Sequence, residues 1–257
     1  MAVLATMTTA EASVAIPQVK VAILPTGAIE QHGPHLEVQC DWAVAGAMAN
    51  RLEADLGADA LLVPGIPYGM SEHHTKFAGS MTLTYETFSG FLTDVAMNLK
   101  RQGIRKVIVV NGHGGNIEPV KTTARALRRD HGILMAHAMW ARLSGAEVAA
   151  RMPGRDLYNH ACEIETSIAL HLAPGIVREI PTAIGDRVAA NGHTDPPHGV
   201  VDLPTWFHQW TTDGALGDPR EATAELGAQL LEPGYDRLLA FARWFCDEPL
   251  PEGMADV

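Results

Sequence analysis

The chain has 257 residues, 47% of them hydrophobic and 19% charged. That is enough for one large α/β domain with a sizeable core, and it excludes disorder, collagen-like repeats and a disulfide-stapled miniprotein. Nineteen Lys and Arg stand against 30 Asp and Glu, a formal net charge of −11, so neither nucleic acid nor an anionic membrane is an expected partner, because both call for a basic footprint.

Residues 1–18 lack a basic region followed by a long apolar run and are read as a ragged terminal segment rather than a signal peptide. A single domain is expected over 19–246, with 247–257 as a tail. Val19–Leu24 predicts a strand, and residues 41–56 a helix with Asp41 at or near its N-cap. Residues 60–63 read as a short buried strand. A helix is expected from about Thr84 to Gln102, where Phe88, Phe91, Leu92, Val95 and Leu99 share one face. Residues 105–110 form the clearest strand, and Asn116 caps a helix running to Asp130. Residues 133–138 give the next strand, and a further helix begins somewhere between His160 and Ile168. The stretch 179–210, with four prolines and three histidines, predicts an irregular excursion. The closing helical region, 220–246, is expected to break at Pro233–Gly234. Such alternation predicts an α/β fold with a mostly parallel sheet covered on both faces. No run of 18 apolar residues suggests a membrane span. Three scattered cysteines without a CxxC pair (Cys40, Cys162, Cys246) suggest a reduced, cytoplasmic chain.

In such sheets ligands bind beyond the carboxyl ends of the strands. After the first strand, Glu30, His32, His35 and Asp41 fall within twelve residues. Carboxylate plus imidazole is a ligand set for zinc, manganese or iron, and one carboxylate can bridge two ions. After the strongest strand comes Asn111-Gly-His-Gly-Gly-Asn116. Its His113 reads as a metal ligand, and the rival reading is an anion cradle at a helix N-terminus. A Walker lysine is missing and the spacing is not that of a dinucleotide fingerprint, which favours the metal. A third patch holds His160, Cys162, Glu163 and Glu165. On a helix His160 and Glu163 share a face. If the helix starts later, Glu165 also turns inward. The loop with His73 and His74 reads as rim or substrate contact. Tyr68, His73, Trp140, Asp156, Tyr158 and Trp206 are candidate pocket residues.

Together, Gly27-Ala-Ile-Glu-Gln-His-Gly-Pro-His35, Asn111–Asn116 and His160-Ala-Cys-Glu-Ile-Glu-Thr-Ser167 resemble the creatininase family of metal-dependent amidohydrolases. The resemblance runs from about Val19 to Leu231. It implies a three-layer α/β/α fold, two divalent metal ions per chain (zinc, manganese or iron), a small-molecule substrate and a homohexamer. By position, Glu30 and His113 resemble ligands of one ion, His32 a ligand of the other, Asp41 the carboxylate shared by both, and His160 the proton shuttle. Creatinine-hydrolysing members carry a glutamate where this chain has Gly115. They also carry a tryptophan where it has Asp156. Glu163 is the expected replacement ligand, with Glu165 the alternative and, beside His160, a candidate catalytic group.

The activity implied is hydrolysis of an amide-type C–N bond, in a cyclic amide or formamide, through a metal-activated water. Creatinine itself is disfavoured as substrate, and the Gly-Gly motif is similar to members acting on formamides or small modified peptides. The alternatives are a family hydrolase opening a lactone or cyclic ketone ring, a Cys162 nucleophile, and a non-catalytic phosphate- or nucleotide-binding module built on Asn111–Asn116.

Overall fold

A computed structural model describes residues 2–154, 160–181 and 204–251. In chain order its helices and strands are α1 (Thr9–Ala15), β1 (Val21–Thr26), α2 (Cys40–Leu56), β2 (Ala60–Leu62), α3 (Tyr85–Arg101), β3 (Lys106–Asn111), α4 (Ile117–His131), β4 (Leu134–Met139), α5 (Trp140–Leu143), α6 (Gly145–Arg151), α7 (Glu163–Leu172) and α8 (Ala224–Asp247). The four strands pair in parallel in the order β2-β1-β3-β4.

Strand periodicity sorts the core into two halves, since successive side chains point to opposite faces. Val21, Ile23, Ile108 and Val110 pack with Val44 and Met48 of α2, Ile168 of α7, and Leu230 and Leu238 of α8. Ala22, Leu24, Val107 and Val109 pack instead with Phe88 and Leu92 of α3 and Val120 and Leu127 of α4. The result is the three-layer α/β/α arrangement. Strands buried on both faces explain the unbroken apolar run of β3.

Two expectations are corrected. The first residues are not ragged. The Ala2 amide donates to the buried Glu53 carboxylate, Leu62 N donates to Ala2 O at 2.9 Å, and Val3 bridges to Leu62. α8 also runs unbroken through Pro233. A proline normally disrupts a helix interior, but here Gly234 lies against the Leu143 backbone, where a Cβ would stand 2.6 Å from its carbonyl oxygen. Packing against α5 holds the helix through the defect. Among the described residues no helix is long and apolar enough to cross a membrane.

Candidate metal centre

Parallel pairing places the ends of β1 and β3 side by side, with Thr26 opposite Asn111. The loops leaving these ends carry Glu30, His32 and His113. Asp41 enters from the first turn of α2. The Asn111 side chain holds the arrangement. Its Oδ1 accepts from Thr26 Oγ1 at 3.1 Å, His113 N at 3.1 Å and Asn116 Nδ2 at 3.1 Å, and its Nδ2 donates to His113 O at 2.7 Å. Asn116 sits at the cap position of α4 but makes no side-chain cap bond. Its amide donates to Gly27 O and accepts from Met70 N instead, stitching three loops together.

Glu30, His32, Asp41, His113, His160 and Glu165 are all buried. Asp41 stands between two imidazoles, with Oδ1 3.3 Å from His32 Nε2 and Oδ2 3.1 Å from His113 Nδ1. Glu30 Oε1 is 3.2 Å from the same His113 Nδ1, and Glu165 Oε1 is 3.7 Å from His32 Nε2.

The hydrogen bonds decide which ring nitrogen carries hydrogen. His32 Nδ1 is 3.1 Å from Glu30 O, His113 Nε2 is 3.0 Å from Met70 O, and His160 Nε2 is 2.7 Å from Gln31 O. A carbonyl only accepts, so each of these nitrogens donates. The opposite nitrogens, His32 Nε2, His113 Nδ1 and His160 Nδ1, therefore face carboxylates with bare lone pairs. Acceptors buried against acceptors require a cation between them, either a proton or a metal ion. Burial alone depresses the His113 imidazole, but Glu30 and Asp41 outweigh it and raise its pKa well above the ordinary value. At His32, burial is likewise outweighed by the neighbouring Cys40, Asp41 and Glu165. His32 Nε2 and Glu30 Oε2 are buried without a hydrogen-bond partner. Among the described residues, the groups able to hold an ion are Glu30–His32–His160, Glu30–His73–His113 and His32–Asp41–Glu165, each with ligand atoms within 4.8 Å of one another. The donor set fits metal coordination.

The third patch differs from the helical expectation. α7 begins only at Glu163. His160 precedes it, pairs with Leu216, and is followed by Ala161 at φ 51°. This left-handed residue costs about 1 kcal/mol and reverses the chain so that Glu165 turns toward His160. Glu165 Oε2 accepts from Ala161 N at 2.6 Å and lies 3.7 Å from His160 Nδ1. The i, i+3 argument for Glu163 therefore fails, because His160 is not on the helix. Glu163 is buried but lies outside every metal-capable group and does not line the cavity. Cys162 is buried as well, and burial pushes its thiol up to about 12, which leaves no thiolate for nucleophilic work. His35 turns away to Thr166 Oγ1 at 2.9 Å.

A cavity of about 340 Å³ opens on the cluster. Its lining combines the polar Glu30, Asp41, His113, His160 and Glu165 with the apolar Ile117, Met139, Trp140, Phe207 and Trp210. Among the predicted pocket residues, His73 and Trp140 line the cavity, whereas Tyr68 and Trp206 do not and are 40% exposed. Asp156 and Tyr158 lie outside the described residues. Sequence reasoning missed Phe207 and Trp210, although the aromatic run Trp206–Trp210 was the available signal. His74 lines the cavity too, but sequence reasoning missed how deeply it is buried.

Two of the three glycines in the turn are pressed against protein, while Gly114 faces open space. A Cβ at Gly112 would collide with the Asp41 backbone, and one at Gly115 with Met70 O. With Glu30 and Asp41 beside it, the turn does not suit a phosphate.

Fold and site define a hydrolase class. The family model of creatininase, creatinine amidohydrolase, matches residues 5–242, and the chain belongs to that family. It is 33% identical over 248 residues to the mycofactocin precursor peptide peptidase of Mycobacterium tuberculosis, covering 90% of this chain and 87% of that protein. A crystal structure of a candidate creatinine amidohydrolase from Bacteroides fragilis superposes with a TM-score of 0.83 at 26% identity, covering 98% of each chain. A creatininase mutant of the Zn–Zn type superposes with a TM-score of 0.77 at 26% identity, covering 96% of this chain and 98% of that one.

Proposed function

We propose that this chain hydrolyses an amide-type C–N bond using two divalent ions, one held by Glu30, Asp41 and His113 and the other by His32, Asp41 and Glu165. The observation that carries the reading is Asp41, whose two oxygens face imidazole lone pairs on opposite sides. Glu165 takes the place first expected of Glu163. Bound divalent metal supplies an acidified water and a polarised carbonyl.

The remaining work falls to the chain. Burial and the neighbouring His32 lower the His160 pKa, so the ring starts neutral. Its Nε2 is committed to Gln31 O, and Nδ1 is the atom that takes up a proton and passes it to the departing nitrogen. His73 and Trp140 contact substrate, and the Phe207–Trp210 side excludes water.

A short peptide or formamide is favoured over creatinine. Gly115 leaves no room for a glutamate at that position, and the peptidase of Mycobacterium tuberculosis lies at 33% identity. A cytoplasmic homohexamer belongs to the same reading, supported by three free cysteines and by family likeness. The test is a screen of formamides, cyclic amides and short peptides before and after chelation. Turnover that disappears with the metal and returns with zinc or manganese supports the proposal, and turnover indifferent to chelation overturns it.

A further inference from the structure

His74 is buried at the centre of the imidazole cluster, with its ring stacked on Phe207 at 4.0 Å and close to His160 at 4.7 Å. It belongs to none of the metal-capable groups. Its role follows from the Gln31 amide. Gln31 Oε1 accepts from Gly33 N at 3.0 Å, and Nε2 donates to Gly214 O at 3.1 Å. An amide N–H can only donate and a carbonyl can only accept, so the orientation of Gln31 is fixed. Gly214, at φ 92°, permits this approach, because a Cβ there would overlap Gln31 Oε1. The second hydrogen of Gln31 Nε2 points at His74 Nδ1, 2.8 Å away. That nitrogen must therefore accept, and the ring hydrogen is on Nε2, which lies 3.4 Å from Glu30 Oε1.

We infer that Gln31 and His74 form a hydrogen-bond relay that orients Glu30, making His74 a positioning residue for the first metal ion rather than a ligand. Among His32, His74, His113 and His160, the first, third and fourth turn lone pairs toward the carboxylates, and His74 turns a hydrogen. Partners of this kind hold a carboxylate in one rotamer before the ion arrives.

The inference rests on Glu30 being a metal ligand, and the experiment separates the two. Zinc is titrated calorimetrically into metal-free full-length wild type, His74→Leu, His74→Gln and Glu30→Gln. The leucine fills the volume without a donor, whereas the glutamine amide can still donate to Glu30. His74→Leu is expected to weaken one zinc site by about 10- to 100-fold, and His74→Gln to recover most of that loss. Equal affinities in His74→Leu and wild type, or equal losses in the Leu and Gln variants, overturn the relay and leave the metal reading standing. Glu30→Gln retaining both zinc sites overturns the metal reading itself.

Discussion

The two sides of the proposed metal centre are built by different means. Glu30 and His113 sit in the loops leaving adjacent strand ends, with Asp41 beside them on the first turn of α2, locked by the Thr26–Asn111 register and by the Asn111 and Asn116 side chains. His160 reaches the same point from a turn that depends on one left-handed alanine and on a pairing with Leu216, and Glu165 from the first turn of α7 that follows it. A ladder-held side keeps its geometry by many hydrogen bonds in parallel. A turn-held side has few, and its contribution to the site is the easier to remove by itself.

Breaking the residue common to both sides has the largest effect. Asp41→Asn is expected to take metal content from about two ions per chain to below one, with activity at least about 10³-fold lower, because both ions lose the shared ligand. Elemental analysis beside a turnover assay checks this.

His160→Ala removes the proposed proton carrier without touching the ladder side. The expected kcat is about 10²- to 10⁴-fold lower with metal content unchanged. Loss of metal as well would make His160 a ligand.

The comparison sharpens at the two glutamates of α7. Glu165→Gln is expected to reduce bound metal from about two ions toward one, whereas Glu163→Gln retains both. The reverse result restores the ligand first expected from the spacing.

On the ladder side, Gly115→Ala places a methyl against Met70 O and His113 Nε2. The expected cost is about 1–3 kcal/mol of stability from overpacking, read by thermal melting, with weaker metal binding. An unchanged melting temperature would show that the turn has slack.

The smallest effect lies away from the site. Arg51 holds Glu232 in a bidentate pair at 2.7 Å, and His171 Nε2 lies 2.7 Å from the same carboxylate. Led by the Arg51 bond, these partners bring the Glu232 carboxyl from 4.5 to about 2. A carboxyl lowered by folding contributes stability that is complete above 4.5 and is lost as pH falls toward 2. The side chain is 35% exposed, so solvent screening limits the contribution to about 1 kcal/mol. Glu232→Gln should lower the melting temperature slightly at pH 7, and the difference should vanish near pH 2. A difference that persists there would mean packing rather than charge.

The same contrast explains what the sequence made legible. Strand periodicity and the clustering of Glu30, His32 and Asp41 past β1 are local signals, so the fold layers and the ladder-side residues could be read directly. Choosing Glu165 over Glu163 required the start of α7 and the φ of Ala161, which no spacing rule encodes. His74 looked like a rim residue because its burial depends on Phe207, more than 130 positions away. The unbroken α8 was hidden for the same reason, since the contact that accommodates Pro233 lies on α5.

The metal content of the purified wild-type chain tests the central claim most directly. About two divalent ions per chain, with activity lost on stripping and restored on adding metal, is the predicted result. A fully active preparation holding no divalent metal would contradict it.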